Sequence, residues 1–91
     1  MSSKKTVLIT GTSSGIGHAL ARALHERGYQ VLATARKKES ISDLEKLGMI
    51  PLALDVDSPE SIAALKAEVG RITGGKLDML VNNAGEHRLV T

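Results

Sequence analysis

The chain contains 91 residues, of which 42% are hydrophobic and 24% are charged, and its formal net charge is +2. A chain of this length forms one domain at most, and it buries only about 60–65% of the surface that it exposes when unfolded. We therefore expect marginal stability. The chain has no cysteine, which excludes disulfides and thiolate metal sites.

The composition also excludes several functions. Tyr29 is the only aromatic residue, so the chain cannot build the stacking platform that binds single-stranded nucleic acid. The net charge falls short of the basic surface of a DNA-binding domain. The first apolar run, Val7 to Ile9, is shorter than a signal peptide or a membrane helix requires. We therefore predict a soluble, cytoplasmic protein that binds no nucleic acid and has no transmembrane segment.

The first half of the chain predicts a strand, a helix and a second strand. The first strand is a short apolar run at residues 6–10, and the second is predicted at residues 30–35. Between them, residues 15–27 carry apolar side chains at helical spacing, and Gly28 follows where a helix commonly ends. The predicted apolar face of this helix comprises Ile16, Ala19, Leu20, Ala23 and Leu24.

The second half repeats the alternation. A short helix is predicted from the capping-box spacing of Ser42 and Glu45. A third strand follows at residues 50–56. Ser58 suits the cap of a third helix because its hydroxyl can accept from the backbone, and the proline after it fits the first helical position. The fourth strand is predicted at residues 77–81.

The order of these elements is β-α-β-α-β-α-β, which predicts an α/β fold with a four-stranded parallel sheet. Its strands are continuously apolar, as expected where both faces of a sheet are covered. Right-handed crossovers with one reversal predict the spatial order 3-2-1-4. Pro51 then lies in an edge strand, where a missing N–H is tolerated.

The turn between the first strand and the first helix carries the chemistry. Gly11 lets the chain leave the strand sharply, Gly15 leaves backbone N–H groups open to a pyrophosphate, and Gly17 lets the helix lie close to the sheet. The positive end of the helix and the hydroxyls of Ser13 and Ser14 also favour an anion. The pattern indicates nucleotide binding, with a plain structural turn as the alternative.

The spacing of this turn, Gly-x-x-x-Gly-x-Gly, resembles the cofactor turn of the short-chain dehydrogenase/reductase family. Three further segments match the family in the same order: the first helix at residues 18–27, Asp55-Val56, and Asn82-Asn83-Ala84-Gly85. The resemblance spans residues 4–85. Within the family, residues 33–36, 42–44 and 54–56 are similar to fungal NADPH-dependent reductases of the acyl-dihydroxyacetone-phosphate reductase type.

The resemblance implies a partial Rossmann fold, with residues 1–91 forming a single truncated NADP-binding domain. It also implies the cofactor-binding residues, which are Gly11, Ser13, Ser14, Gly15, Ile16, Gly17, Arg36, Asp55, Val56 and Asn83. By resemblance, Asp55 meets the adenine amino group, Val56 lines the ring and Asn83 approaches the ribose. Without the resemblance, the alternative for Asp55 is an exposed carboxylate at a strand end, and the alternative for the Asn-Asn-Ala-Gly stretch is a turn. Asn82 is expected to join strands through its amide.

The residues after the second strand favour NADP(H) over NAD(H). An NAD site places a carboxylate at about the position of Ala35, yet no acid occurs between Tyr29 and Lys38. Arg36 follows at once, and its guanidinium can form a fork of hydrogen bonds to a 2′-phosphate. A solvated basic loop is the alternative.

The three histidines, at positions 18, 25 and 87, are predicted to be solvated and have no metal-ligand spacing.

The family reduces carbonyls or oxidises alcohols with a Ser and a Tyr-x-x-x-Lys pair, and no residue here takes those roles. The one tyrosine, Tyr29, is followed four residues later by Ala33. We therefore expect a truncated reductase that is inactive by itself. The alternatives are a non-catalytic module that pairs with a full-length relative and a fragment of an active carbonyl reductase. The fourth strand is expected to be an exposed apolar edge through which the chain self-associates or pairs.

Overall fold

A computed structural model of the chain describes residues 4–13 and 15–83. Its elements are β1 (Thr6–Ile9), α1 (Gly15–Glu26), β2 (Gln30–Ala35), a 3₁₀ turn (Lys38–Ile41), α2 (Ser42–Lys46), β3 (Ile50–Ala53), α3 (Pro59–Thr73) and β4 (Met79–Val81). The strands form one parallel sheet in the order β3-β2-β1-β4. This confirms the predicted α/β fold and strand order, and Pro51 lies in the edge strand β3.

Both faces of the sheet are covered by helices. Each strand contributes side chains to both faces, because successive side chains of a strand point in opposite directions. One face packs against α1 and α2, and its buried residues are Val7, Ile9, Ala21, Val31, Ala33, Ala35, Ile41, Leu44 and Met49. The other packs against α3 through Leu8, Leu32, Leu52, Leu54, Leu65 and Val69. The central strands β1 and β2 contribute to both clusters, which explains their continuous apolar sequence.

The predicted apolar face of α1 is wrong in part. Gly17 and Ala21 are the buried residues of this helix, whereas Ile16 is 72% exposed and Ala19 and Ala23 are also exposed. The helix packs on the sheet through Gly17 and Ala21, and the predicted Leu20 and Leu24 are partly buried beside them. The helical spacing of the apolar residues does not show which of them face the sheet, because the close contact of α1 depends on the turn before the helix.

The capping box predicted for the second helix is also wrong. The 3₁₀ turn runs directly into α2, so the cap position is taken by Ile41 and no side chain caps the helix. Ser42 already has helical backbone angles and cannot serve as a cap. The start of α3 is confirmed, since Ser58 Oγ accepts a hydrogen bond from the backbone N–H of Ser61 at 3.1 Å and Pro59 is the first helical residue.

Three strands are shorter than predicted, and β3 shows why. It ends at Ala53, after which the backbone N–H of Leu54 still donates to the carbonyl of Ala35 at 2.8 Å. The chain then turns toward α3, which places Asp55 in a loop rather than in the strand. The carboxyl ends of β2 and β3 therefore remain side by side.

Within residues 4–13 and 15–83, no helix is both long and apolar enough to cross a membrane.

Candidate functional site

The site lies at the carboxyl edge of the sheet, where β1 passes into α1. The two glycines at the ends of this turn adopt positive φ, 69° at Gly11 and 66° at Gly15. A side chain at either position would strain the backbone. Among the described residues, leaving aside its chain neighbours and the backbone of α1, a Cβ built on Gly15 meets no atom within 4 Å. The turn is therefore held open by backbone conformation at the point where α1 begins, which is where a helix attracts an anion.

Gly17 has a different role, because its backbone is ordinary and the space around it is full. A Cβ at this position would overlap the carbonyl oxygen of Gly11 and would lie 2.5 Å from Nδ2 of Asn83. The first turn of α1 thus packs directly on the turn that precedes it. The prediction that Gly17 permits close packing becomes specific here, since the group that it admits is the peptide of Gly11.

Residues from the end of β4 close the turn from the other side. The backbone N–H of Asn83 donates to Oγ1 of Thr10 at 2.8 Å, and Nδ2 of Asn83 donates to the carbonyl of Gly11 at 3.0 Å. Oγ1 of Thr10 also donates to Oδ1 of Asn82 at 3.2 Å. Asn82 therefore joins β1 to β4 through its side chain, as predicted. Residues 84 and 85 of the predicted Asn-Asn-Ala-Gly segment lie outside the described residues.

Two buried threonines connect the turn to β2, and neither was predicted to have a role at the site. The backbone N–H and the hydroxyl of Thr12 each donate to the carbonyl of Thr34 at 2.9 Å. The hydroxyl of Thr34 donates to the carbonyl of Ile9 at 3.1 Å. Neither residue has any accessible surface. Two polar residues near the ends of successive apolar runs were the available signal, but it does not specify this pairing.

The second part of the site lies at the ends of β2 and β3. Arg36 follows β2 directly, its side chain is 73% exposed, and its Nη2 lies 3.9 Å from Oδ1 of Asp55. The backbone N–H of Asp55 donates to Oγ of Ser61 at 2.9 Å, which fixes the loop between β3 and α3. The structure thus brings together a guanidinium and a carboxylate that lie 19 positions apart in the sequence.

Four of the predicted residues lie on the surface near these two parts. Ser13 and Gly15 are exposed, as is Ile16 at the start of α1. Val56 is also exposed, in the loop that holds Asp55. Ser14 lies outside the described residues.

One histidine is not simply solvated as predicted. Nε2 of His18 lies 2.7 Å from Oδ2 of Asp43, a hydrogen bond that joins α1 to α2. This hydrogen bond holds the pKa of the Asp43 carboxyl below its usual value. His25 is half-buried, and His87 lies outside the described residues. In residues 4–13 and 15–83, no three His, Asp or Glu side chains form a group that could hold a metal ion.

Comparison with known proteins agrees with this architecture. The family model for short chain dehydrogenases matches residues 5–91. The chain belongs to the short-chain dehydrogenase family. This membership confirms the resemblance drawn from the four ordered segments.

Among curated relatives, the chain is 49% identical over 86 residues to the NADPH-dependent 1-acyldihydroxyacetone phosphate reductase of Schizosaccharomyces pombe. That match covers 93% of this chain and 29% of the relative. A short-chain dehydrogenase of Penicillium ochrochloron is 48% identical over 91 residues, which are 96% of this chain and 33% of that protein. The chain therefore spans about a third of the length of the curated relatives it matches.

Solved structures show the same relationship. A short-chain dehydrogenase from Streptomyces avermitilis superposes with a TM-score of 0.84 at 41% identity, covering 91% of this chain and 31% of that one. A metagenomic short-chain oxidoreductase in complex with NADP gives a TM-score of 0.79 at 36% identity, covering 89% of this chain and 39% of that one. The fold described above is thus shared with a part of each of these solved chains.

Proposed function

We propose that this chain forms the adenosine- and pyrophosphate-binding part of an NADP(H)-dependent oxidoreductase. The observation that carries the proposal is the convergence at one sheet edge of an open glycine turn and, beside it, an exposed arginine. Gly11 and Gly15 keep the turn open, and Arg36 stands at the end of the neighbouring strand. Ligands of open α/β sheets bind at this edge, where the strand order reverses.

The turn suits a pyrophosphate. Apart from its chain neighbours and the backbone of α1, no described atom would lie within 4 Å of a Cβ at Gly15, and α1 begins at the same residue. Exposed backbone N–H groups and the positive end of a helix favour a phosphate, because they offer hydrogen-bond donors without requiring a charged side chain. Ser13 and Ser14 would add hydroxyl donors. Ile16, exposed at the start of the helix, would cover the turn, and Gly17 would hold its shape.

The groups at the ends of β2 and β3 suit an adenosine that carries a 2′-phosphate. Arg36 offers a fork of N–H donors, and β2 ends in Ala35 rather than in the carboxylate that an NAD site places there. Asp55 would accept from the adenine amino group, and Val56 would line the ring. Asn83 would complete the ribose side of the turn. The Schizosaccharomyces pombe relative is NADPH-dependent by name, and the metagenomic neighbour was solved with NADP, which supports this assignment.

We propose that the complete protein reduces a carbonyl compound, with the cofactor supplying the hydride. Within the 91 residues, Tyr29 has Ala33 rather than lysine four positions later, so the family's Tyr-x-x-x-Lys pair is not among them. This chain's own residues would bind and orient the adenosine half of the cofactor. The chain by itself is therefore expected to bind NADP(H) without transferring hydride.

Calorimetric titration of the purified chain, run beside a carbonyl-reduction assay, tests this function. We expect NADP to bind at least about tenfold more tightly than NAD, because a hydrogen bond to a charged group contributes about 1.5–3 kcal/mol. Arg36→Asp should abolish the difference, and the assay should show no consumption of NADPH. Equal binding of the two dinucleotides, or turnover by the chain alone, would contradict the proposal.

A second candidate function is pairing through β4, with a second copy of the chain or with a full-length relative. β4 forms an edge of the sheet in the described residues, and Leu80 on it is 59% exposed. An apolar groove of about 420 Å³ runs beside it, between β1, β4 and α3. An exposed apolar edge strand is a template for pairing.

Sedimentation of the purified chain over a range of concentrations tests this pairing. We expect Leu80→Lys to weaken self-association, because it places a charge on the edge strand. Leu47→Lys is the matched control, since Leu47 is 47% exposed on the α2 side of the molecule. A chain that remains monomeric at every concentration, or equal effects of the two variants, would contradict self-association through β4.

A further inference from the structure

The contact between Arg36 and Asp55 carries an inference that rests on the proposed NADP(H) site. Nη2 of Arg36 lies 3.9 Å from Oδ1 of Asp55. The two residues are brought together by the backbone, since the N–H of Leu54 donates to the carbonyl of Ala35 at 2.8 Å and thereby extends the pairing of β2 and β3 by one residue. The guanidinium proposed to bind the 2′-phosphate thus already has an anionic neighbour.

The two partners of this contact are held differently. Oδ1 of Asp55 accepts a hydrogen bond from the backbone N–H of Asp57 at 3.0 Å, and the N–H of Asp55 donates to Oγ of Ser61 at 2.9 Å. The carboxylate is therefore fixed in its loop. The Arg36 side chain is 73% exposed, and its contact with Asp55 is long. The cation can leave this contact at little cost, whereas the carboxylate stays.

We propose that Asp55 is a specificity-determining residue, whose carboxylate competes with the ribose 2′-phosphate for the Arg36 guanidinium. A phosphate that reaches Arg36 must replace part of the attraction to Asp55 and must lie near its negative charge. Both effects act on the 2′-phosphate and not on the rest of the nucleotide. The carboxylate therefore lowers the preference for NADP(H) below the value that Arg36 alone would give.

The test compares adenosine 2′,5′-bisphosphate with adenosine 5′-monophosphate, two probes that differ by the 2′-phosphate. Calorimetry gives the affinity ratio of the two probes for the 91-residue chain and for Asp55→Asn. Asparagine keeps the shape and the acceptor oxygen for Asp57 but removes the charge. We expect the ratio to rise about two- to fivefold in favour of the bisphosphate, the size typical of an exposed charge pair. A loop merely loosened by the substitution would weaken both probes and leave the ratio unchanged.

Two further variants separate the mechanism from a general charge effect. Glu60→Gln removes a charge of the same sign from the exposed first turn of α3, and it should leave the ratio close to that of the unaltered chain. In an Arg36→Gln background, Asp55→Asn should raise the ratio less than it does beside Arg36, because only the direct repulsion between the carboxylate and the phosphate then remains.

The outcomes also distinguish this inference from the proposed function. A ratio near one in the unaltered chain contradicts the NADP(H) site and, with it, the inference. A high ratio that Asp55→Asn leaves unchanged or lowers overturns the inference alone. The inference is likewise overturned if Asp55→Asn raises the ratio equally with and without Arg36, or if Glu60→Gln raises it as much.

Discussion

The two parts of the site are built in opposite ways. In the glycine turn, the backbone forms the proposed binding site. Positive φ at Gly11 and Gly15 and the packing of Gly17 on the turn restrict the residue types that can replace these glycines. At the ends of β2 and β3, side chains form the proposed site, and Arg36 is largely exposed beside Asp55. A phosphate site common to many nucleotides suits a fixed backbone. The choice between two dinucleotides suits a side chain that can be replaced without disturbing the fold.

The largest expected effect on stability is in the glycine turn. Gly17→Ala places a methyl group against the carbonyl of Gly11 and the amide of Asn83, so backbone must move. We expect a loss of about 1–3 kcal/mol in the free energy of unfolding, measured by urea denaturation, together with weaker binding of both NADP and NAD.

Gly70→Ala is the matched control for this substitution. Gly70 lies within α3, and a Cβ there meets no atom within 4 Å. Alanine favours a helix over glycine by about 1 kcal/mol, so the control should stabilise the chain. Equal stability of the two variants would show that the turn is looser than the structure indicates, and the contrast between the two parts would fail.

A smaller effect is expected at the buried connection between the two parts. Thr12→Val removes the hydroxyl that donates to the carbonyl of Thr34, two residues before Arg36, while the backbone N–H of Thr12 still donates there. We expect a loss of about 1 kcal/mol in the free energy of unfolding. Ser40→Ala removes an exposed hydroxyl that donates to the carbonyl of Lys37 and should cost less than about 0.5 kcal/mol. Equal losses in the two variants would mean that burial does not increase the contribution of the Thr12 hydrogen bond to the free energy of unfolding.

The smallest effect is expected at the surface contact between α1 and α2. The His18 hydrogen bond holds the pKa of Asp43 below its usual value of 3.8, so the folded state favours the ionised carboxyl. This contribution is complete above about pH 4 and is lost as the pH falls through the lowered folded pKa. Asp43→Asn should therefore lower the urea midpoint at about pH 6, with the difference from the unaltered chain shrinking below about pH 4. A difference that grows as the pH falls would contradict the assignment.

Local patterns were sufficient to predict much of this molecule. The strand order follows from the alternation of elements and the handedness of crossovers, and the position of Pro51 agrees with it. The start of α3 is encoded by Ser58 and the proline after it. The glycine turn is recognisable because its residues are consecutive. Each of these features depends on neighbours in the sequence, where the signal is strong.

Contacts between distant residues could not be predicted in the same way. The hydrogen bond from Thr12 to Thr34 joins residues 22 positions apart, and neither residue type requires it. The buried face of α1 depends on how closely Gly17 approaches the turn, which a helical period does not specify. The contact of Arg36 with Asp55 arises only once β2 and β3 lie side by side. These tertiary contacts determine how the two parts of the site are held together.

One nucleotide is proposed to engage both parts of the site, and amide chemical shifts measure this directly. NADP is titrated into the isotopically labelled chain, and NAD is titrated in parallel. We predict that NADP shifts the amides of the turn, Gly11 to Gly17, together with those of Arg36 and Asp55, whereas NAD shifts the Arg36 amide far less. Shifts confined to one part, or equal shifts at Arg36 with both dinucleotides, would contradict the claim.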